Sequence, residues 1–156
     1  MKILKIGLPI VLVLGLITLI AAPIGPVPGL FIGGTPVDAP QEWRDTSGID
    51  EIRLKVPGFP PRVVIIWVID HEGELYVVGG SDSGWVERIG NGGPVELRLG
   101  DDTYALNASL LSGPKWRPVL EAWVAKYEPN YPDIVAGFPS IEDAPGAVSV
   151  FHLNRS

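Results

Sequence analysis

RVVIIWVIDHEGELYVVGG, residues 62–80, decides the fold. Val63 to Ile69 is an unbroken apolar run rich in β-branched residues, which reads as a central strand covered on both faces. His71-Glu72-Gly73 is a turn, and Glu74 to Val78 returns as a second strand. A second pair lies in PVELRLGDDTYALNASLL, residues 94–111. Val95, Leu97 and Leu99 alternate with Glu96 and Arg98, so one face points inward and the other to solvent. Gly100-Asp101-Asp102 turns the chain into a strand that carries Tyr104, Leu106, Ala108 and Leu110 on one face. Two hairpins in succession predict a mostly antiparallel sheet.

Upstream, Glu51 to Val56 alternates in the same way and predicts a strand with Ile52, Leu54 and Val56 inward. Pro57-Gly58-Phe59-Pro60-Pro61 breaks it. Gln41 to Ile49, polar apart from Trp43 and the closing isoleucine, predicts a short helix. Downstream, Trp85 to Ile89 makes one helical turn that Ser83 can cap. Pro114 opens a longer helix with Trp116, Val119, Leu120, Trp123 and Tyr127 on one face, and Arg117, Glu121 and Lys126 opposite. Pro129-Asn130-Tyr131-Pro132 stops it, and a short turn, Asp133 to Ala136, follows. Ala147 to Leu153 is a last, edge-like strand that carries His152. The expectation is a mostly β barrel with one covering amphipathic helix.

The N-terminus differs in character. Lys2 and Lys5 precede Ile6 to Ala22, which is wholly uncharged and apolar. This run sits at the short end of the length that crosses a bilayer as a helix. A cleaved signal peptide has the same basic start, but no clear small-x-small site follows; a buried soluble helix is the third reading. The transmembrane helix is preferred, with the lysines inside and the remainder on the extracytoplasmic side of a single-pass protein. Residues 1–24 are then the anchor, 25–40 a proline- and glycine-rich stalk, and 41–156 the barrel domain. Leu30-Phe31-Ile32 in the stalk is expected against the domain or the bilayer surface.

Composition narrows the chemistry. The chain has 156 residues and a formal net charge of −6, with no basic patch, which argues against nucleic acid as a partner. With no cysteine, thiolate metal sites, iron–sulfur clusters and cysteine nucleophiles drop out. His71 and His152 do not form a metal site by spacing. Asp70, Glu72 and Glu74 surround a turn and read as solvated charge. The Asn-x-Ser sequons at Asn107 and Asn154 read as chance. No nucleophile–base–acid set stands out, so no catalytic residue is assigned. What remains is binding, or catalysis in which a cofactor supplies the chemistry.

Gly79-Gly80-Ser81-Asp82-Ser83-Gly84 lies past a strand end, where backbone N–H groups and two hydroxyls can face an anion; a plain turn explains it equally. Arg62 follows a stiff proline turn, which fixes the origin of its side chain. It either meets an anion or pairs with Glu51 or Asp70. Trp85 stands next to the loop, where an indole could stack on a flat ring.

IRLKV, PGFPPR, VVIIWVI, DHEGELYVVGGS, GWVERI and PVELRLGDDTYALNA occur in that order. The series resembles the flavin- and deazaflavin (F420)-binding split β-barrel family, in particular its deazaflavin-dependent nitroreductase-like group. The likeness runs from about Ile49 to Ala125. It implies an FMN-binding split-barrel-like fold, coenzyme F420 or FMN as cofactor, a small-molecule substrate, a homodimer and oxidoreductase activity. It further implies Arg62, Ser81, Ser83, Gly84 and Trp85 as cofactor-binding residues. The family loop before the central strand usually reads Gly-Arg-x-Ser-Gly; here Pro57 to Pro61 replaces it and only Arg62 matches. The alternative is a membrane-tethered, non-catalytic binding or scaffold domain on the same barrel, its cofactor lost.

Overall fold

The computed structural model describes residues 15, 22–25 and 27–155. The anchor expected over residues 1–24 falls almost wholly outside them. Among the described residues, no helix is long and apolar enough to cross a membrane.

Six antiparallel strands close into a barrel. They are β2 (Glu51–Val56), β3 (Arg62–His71), β4 (Glu74–Gly80), β5 (Gly92–Leu99), β6 (Asp102–Leu110) and β7 (Val148–Arg155). Around the barrel the order is β6-β5-β2-β3-β4-β7, and β7 returns to pair with β6. A short β1 (Thr35–Val37) adds to β6 in parallel. The two predicted hairpins form. Glu72 and Gly73 join β3 to β4 with φ of 55° and 77°, the positive pair that a type I′ turn needs. Gly100 and Asp101 join β5 to β6, with Leu99 opposite Asp102.

The alternation read in the sequence fills the barrel. Ile52, Leu54, Val56, Val64, Val68, Leu75, Val77, Val95, Leu97, Leu99, Tyr104 and Leu106 pack inside with Phe151 and Leu153. Outside, α2 (Trp116–Tyr127) lies across β3, β4 and β7. Val119, Leu120, Trp123 and Tyr127 bury a second core there against Ile69, Val78 and Val150. Trp67 stacks on Tyr127, 4.2 Å between centroids and 16° between planes. β3 is therefore covered on both faces, as its continuous apolar run demands.

Four local expectations are corrected. β7 is an interior strand: it pairs with β4 through Tyr76↔His152 and with β6 through Leu110↔Phe151, so it closes the barrel. A strand's own residues do not show whether both of its edges are paired. Residues 41–49 form bends and a turn rather than a helix, because Asp45 Oδ1 captures the Ser47 N–H at 2.8 Å. Trp43 meets Tyr104 edge-on at 5.2 Å. Lys126 does not stay with Arg117 and Glu121 on the solvent side. Its Nζ turns inward and donates to the carbonyls of Thr46, Ile49 and Val68 at 3.1, 2.7 and 3.0 Å. The expected stalk, in turn, is stitched to the barrel. Gly29 and Val63 exchange both backbone hydrogen bonds at 2.8 Å, and β1 completes the edge of β6 that β7 leaves open.

Candidate functional site

The barrel opens on one side of β3. Residues 62–67 of β3 pair with β2, whereas β4 pairs only with residues 68–71. β4 thus diverges toward β7, and α1 (Gly84–Ile89) plugs the gap with Trp85, Val86 and Ile89 buried. This opening is where the sequence placed its candidate residues.

Arg62 is the first residue of β3, opposite Val56. Its guanidinium lies against the start of α1. A Cβ at Gly84 would come within 3.0 Å of Nη1, so the guanidinium packs closely on this glycine. Arg62 Nε is buried without a hydrogen-bond partner. Among the described residues Arg62 has no ion pair; neither Glu51 nor Asp70 meets it. An arginine in this condition has donors available for an anion. Arg88, on α1, donates from Nη1 to Pro60 O at 2.8 Å and ties the helix to the β2–β3 loop.

The two serines are engaged differently. Ser83 stands at the N-cap position of α1 but makes no side-chain cap bond. Its hydroxyl donates back to Gly80 O at 2.7 Å, which spends its one hydrogen within the turn. Ser81 Oγ lies 3.0 Å from Ser149 Oγ. That pair has two hydroxyl hydrogens and uses one, so one remains for a ligand. Ser81 also borders a cavity of about 480 Å³ with Gly80, Asp82, Phe138 and Ala147, and Arg62 is not among its lining residues. The volume suits a small ligand. Asp82 on its rim disfavours an anion there.

Trp85 is the clear correction. Its indole is 8% exposed and belongs to the barrel core, 5.9 Å from Phe151. Any side chain at Gly79 would collide with the ring at 2.3 Å, so Gly79 is the slot that admits it. An indole so placed has no free face for a flat ring. The structure therefore brings Arg62 and Gly84 together beside the turn that holds Ser83. It leaves Ser81 on the β7 side and withdraws Trp85.

Two polar groupings escaped sequence reading. Lys55 and Glu96 pair across β2 and β5 on the outer face, and both line a groove of about 500 Å³ with Phe31, Pro61 and Thr103. Glu74 takes Arg155 Nη1 at 2.5 Å and His152 Nε2 at 3.2 Å, so it is not merely solvated charge; His152 stacks on Tyr76. Burial pushes the Glu74 carboxyl up, but its hydrogen bonds to Arg155 and His152 outweigh that and hold it below its ordinary range. The partners are 41 to 81 residues apart, so no local spacing announces them. Among the described residues no group of three or more acidic or histidine side chains could hold a metal.

No protein-family model and no curated protein matches the sequence. Solved structures do. A candidate general stress protein 26 from Jannaschia overlays with a TM-score of 0.51 at 8% identity, covering 70% of this chain and 68% of that one. A candidate 5-nitroimidazole antibiotic resistance protein from Bacteroides thetaiotaomicron gives 0.48 at 14% identity, covering 74% and 82%. The heme storage protein HutZ from Vibrio cholerae gives 0.48 at 13%, covering 69% and 82%. At these identities the likeness concerns the fold alone, and the first overlay carries it. The fold is split-barrel-like.

Proposed function

We propose that this chain is a cofactor-binding split-barrel protein that holds FMN or coenzyme F420 and passes hydride or electrons to a small-molecule substrate. The observation that carries the reading is Arg62, a guanidinium at the mouth of the barrel with no acidic partner among the described residues. A phosphate or carboxylate on the cofactor's tail supplies the missing counter-charge, and an arginine can take it in two parallel hydrogen bonds. Gly84, with no side chain, lies in close contact with this guanidinium at the start of α1. The tail thus has a fitting partner; the ring does not, because Trp85 is taken by the core. When bound, the cofactor supplies the redox chemistry, and this chain's part is to neutralise and orient its tail. A homodimer with the cofactor near the subunit boundary goes with this reading.

The buried Trp85 and the internally bonded Ser83 favour a second reading, a non-catalytic scaffold on the same barrel. Both readings include a membrane tether at residues 6–22, supported by that uncharged run and the two lysines before it. The purified protein's absorbance separates the readings. Bands of a flavin or deazaflavin that persist through gel filtration support the oxidoreductase. A spectrum of protein alone, unchanged after incubation with either cofactor, leaves the scaffold. A carbonate wash tests the tether: full-length chain is expected in the pellet, and its release into the supernatant contradicts it.

A further inference from the structure

Five apolar side chains stand exposed at one end of the barrel. Phe59 is 95% exposed, Phe31 72%, Val27 59%, Ile24 51% and Leu30 41%. Isolated exposed hydrophobics are ordinary, but a cluster that includes two phenylalanines open to solvent is not. The topology explains why they gather. Gly29 pairs with Val63, the second residue of β3, and Phe59 sits in the loop just before that strand. Phe31 and Pro61 line one groove, which joins the residues before β1 to the β2–β3 loop. Ile24 and Val27 exchange both backbone hydrogen bonds at 3.0 Å, so this turn has a defined shape. The loop that bears Phe59 is stiffened by Pro57, Pro60 and Pro61 and held by the Arg88 bond to Pro60 O. A stiff loop that holds a phenylalanine in solvent gains nothing in the free barrel.

We propose that this end of the barrel rests on a lipid bilayer, with Phe31 and Phe59 inserted among the lipids. The inference rests on the tether reading. Residues 6–22 are a continuous apolar run, and the exposed cluster begins two residues after it, so a chain leaving the bilayer delivers this end first. From there the chain runs along the barrel to Thr35, which pairs with Asp102 at the other end of β6. β3 has ten residues, so the Glu72 turn stands roughly 30 Å from the docked end at about 3.3 Å per residue. Arg62 and Arg88 lie at the docked end, and among the described residues neither forms an ion pair. The exposed apolar side chains carry the contact, so a zwitterionic bilayer suffices.

The chain has no cysteine, so one nitroxide can be placed at will. Three full-length variants, Phe31→Cys, Phe59→Cys and Glu72→Cys, are labelled and reconstituted in phosphatidylcholine vesicles. Each of the first two leaves the other phenylalanine in place. Power saturation with oxygen and with a water-soluble nickel chelate then reads depth. At positions 31 and 59 oxygen is expected to relax the label more than nickel, with the reverse at 72. Labels at 31 and 59 that behave like the one at 72 overturn the docking while leaving the tether intact. Failure of the protein to float with the vesicles overturns both. Spin–spin broadening at 59 that persists in detergent shows a second copy covering the face, and also overturns it.

Discussion

Lys126 shows how one side chain can serve a structural purpose that its place on a helix conceals. Its ammonium donates to three carbonyls beneath α2; Thr46 O also accepts from Ile49 N–H and Val68 O from the Tyr127 hydroxyl, so Ile49 O depends on it most. Burial pulls its pKa down, and the charges of Asp50, Asp70 and Asp45 pull it part of the way back. Lys126→Met keeps the stem and removes the donors. It is expected to destabilise the protein by roughly 1–3 kcal/mol in urea denaturation, the cost of losing hydrogen bonds from a charged donor. A loss within error would mean that water replaces the ammonium freely. Glu74 gives a pH dependence. Its folded pKa is depressed, so its contribution is complete above the unfolded value and is lost as pH falls through the lower folded one. Glu74→Gln should flatten the acid limb of the stability profile and leave its neutral part less affected by pH. An unchanged acid limb would place the pH dependence elsewhere. Neither role was legible in the sequence, because each depends on partners brought close only by the closed barrel.

At the scale of elements, α2 was readable and its neighbours were less so. Trp116, Val119, Leu120, Trp123 and Tyr127 recur at helical spacing, and period alone places four of them in the second core. Trp123 is 2% exposed and packs against Trp67, Tyr127 and Phe138. Trp123→Ala should therefore cost roughly 3–5 kcal/mol in chemical denaturation, the range for emptying a large buried aromatic site. A cost below about 1 kcal/mol would mean that α2 is not tightly docked. β2, β5 and β6 announced themselves by strict alternation, because one face meets the core and the other meets solvent. β7 does not alternate, with Ser149, Val150 and Phe151 buried in a row, and nothing in a strand's own residues says whether its edges are paired. The helix expected at 41–49 was lost to a side chain, Asp45, that offers the backbone an alternative.

For the molecule as a whole, the split in the barrel sets where Arg62 lies. β4 leaves β3 after Val77, α1 fills the breach, and Arg62 lies at its lip with no ion pair among the described residues. The proline turn before Arg62 and the glycines from Gly79 to Gly84 are what drew attention to this region in the sequence. Sequence reading misjudged Trp85, because adjacency along the chain does not tell which face of a short helix turns inward. The slot at Gly79 is visible only in three dimensions. The account stands on Arg62 as the anion-holding group of a cofactor site. Isothermal titration of the full-length protein with FMN and with coenzyme F420, beside Arg62→Ala and Arg62→Lys, tests it most directly. The account predicts micromolar or tighter binding of one cofactor, a loss of roughly tenfold or more on Arg62→Ala, in line with about 1.5–3 kcal/mol for a hydrogen-bonded charge, and partial recovery with Arg62→Lys. Equal affinity of Arg62→Ala and the unchanged protein, or no binding of either cofactor by the unchanged protein, would contradict it.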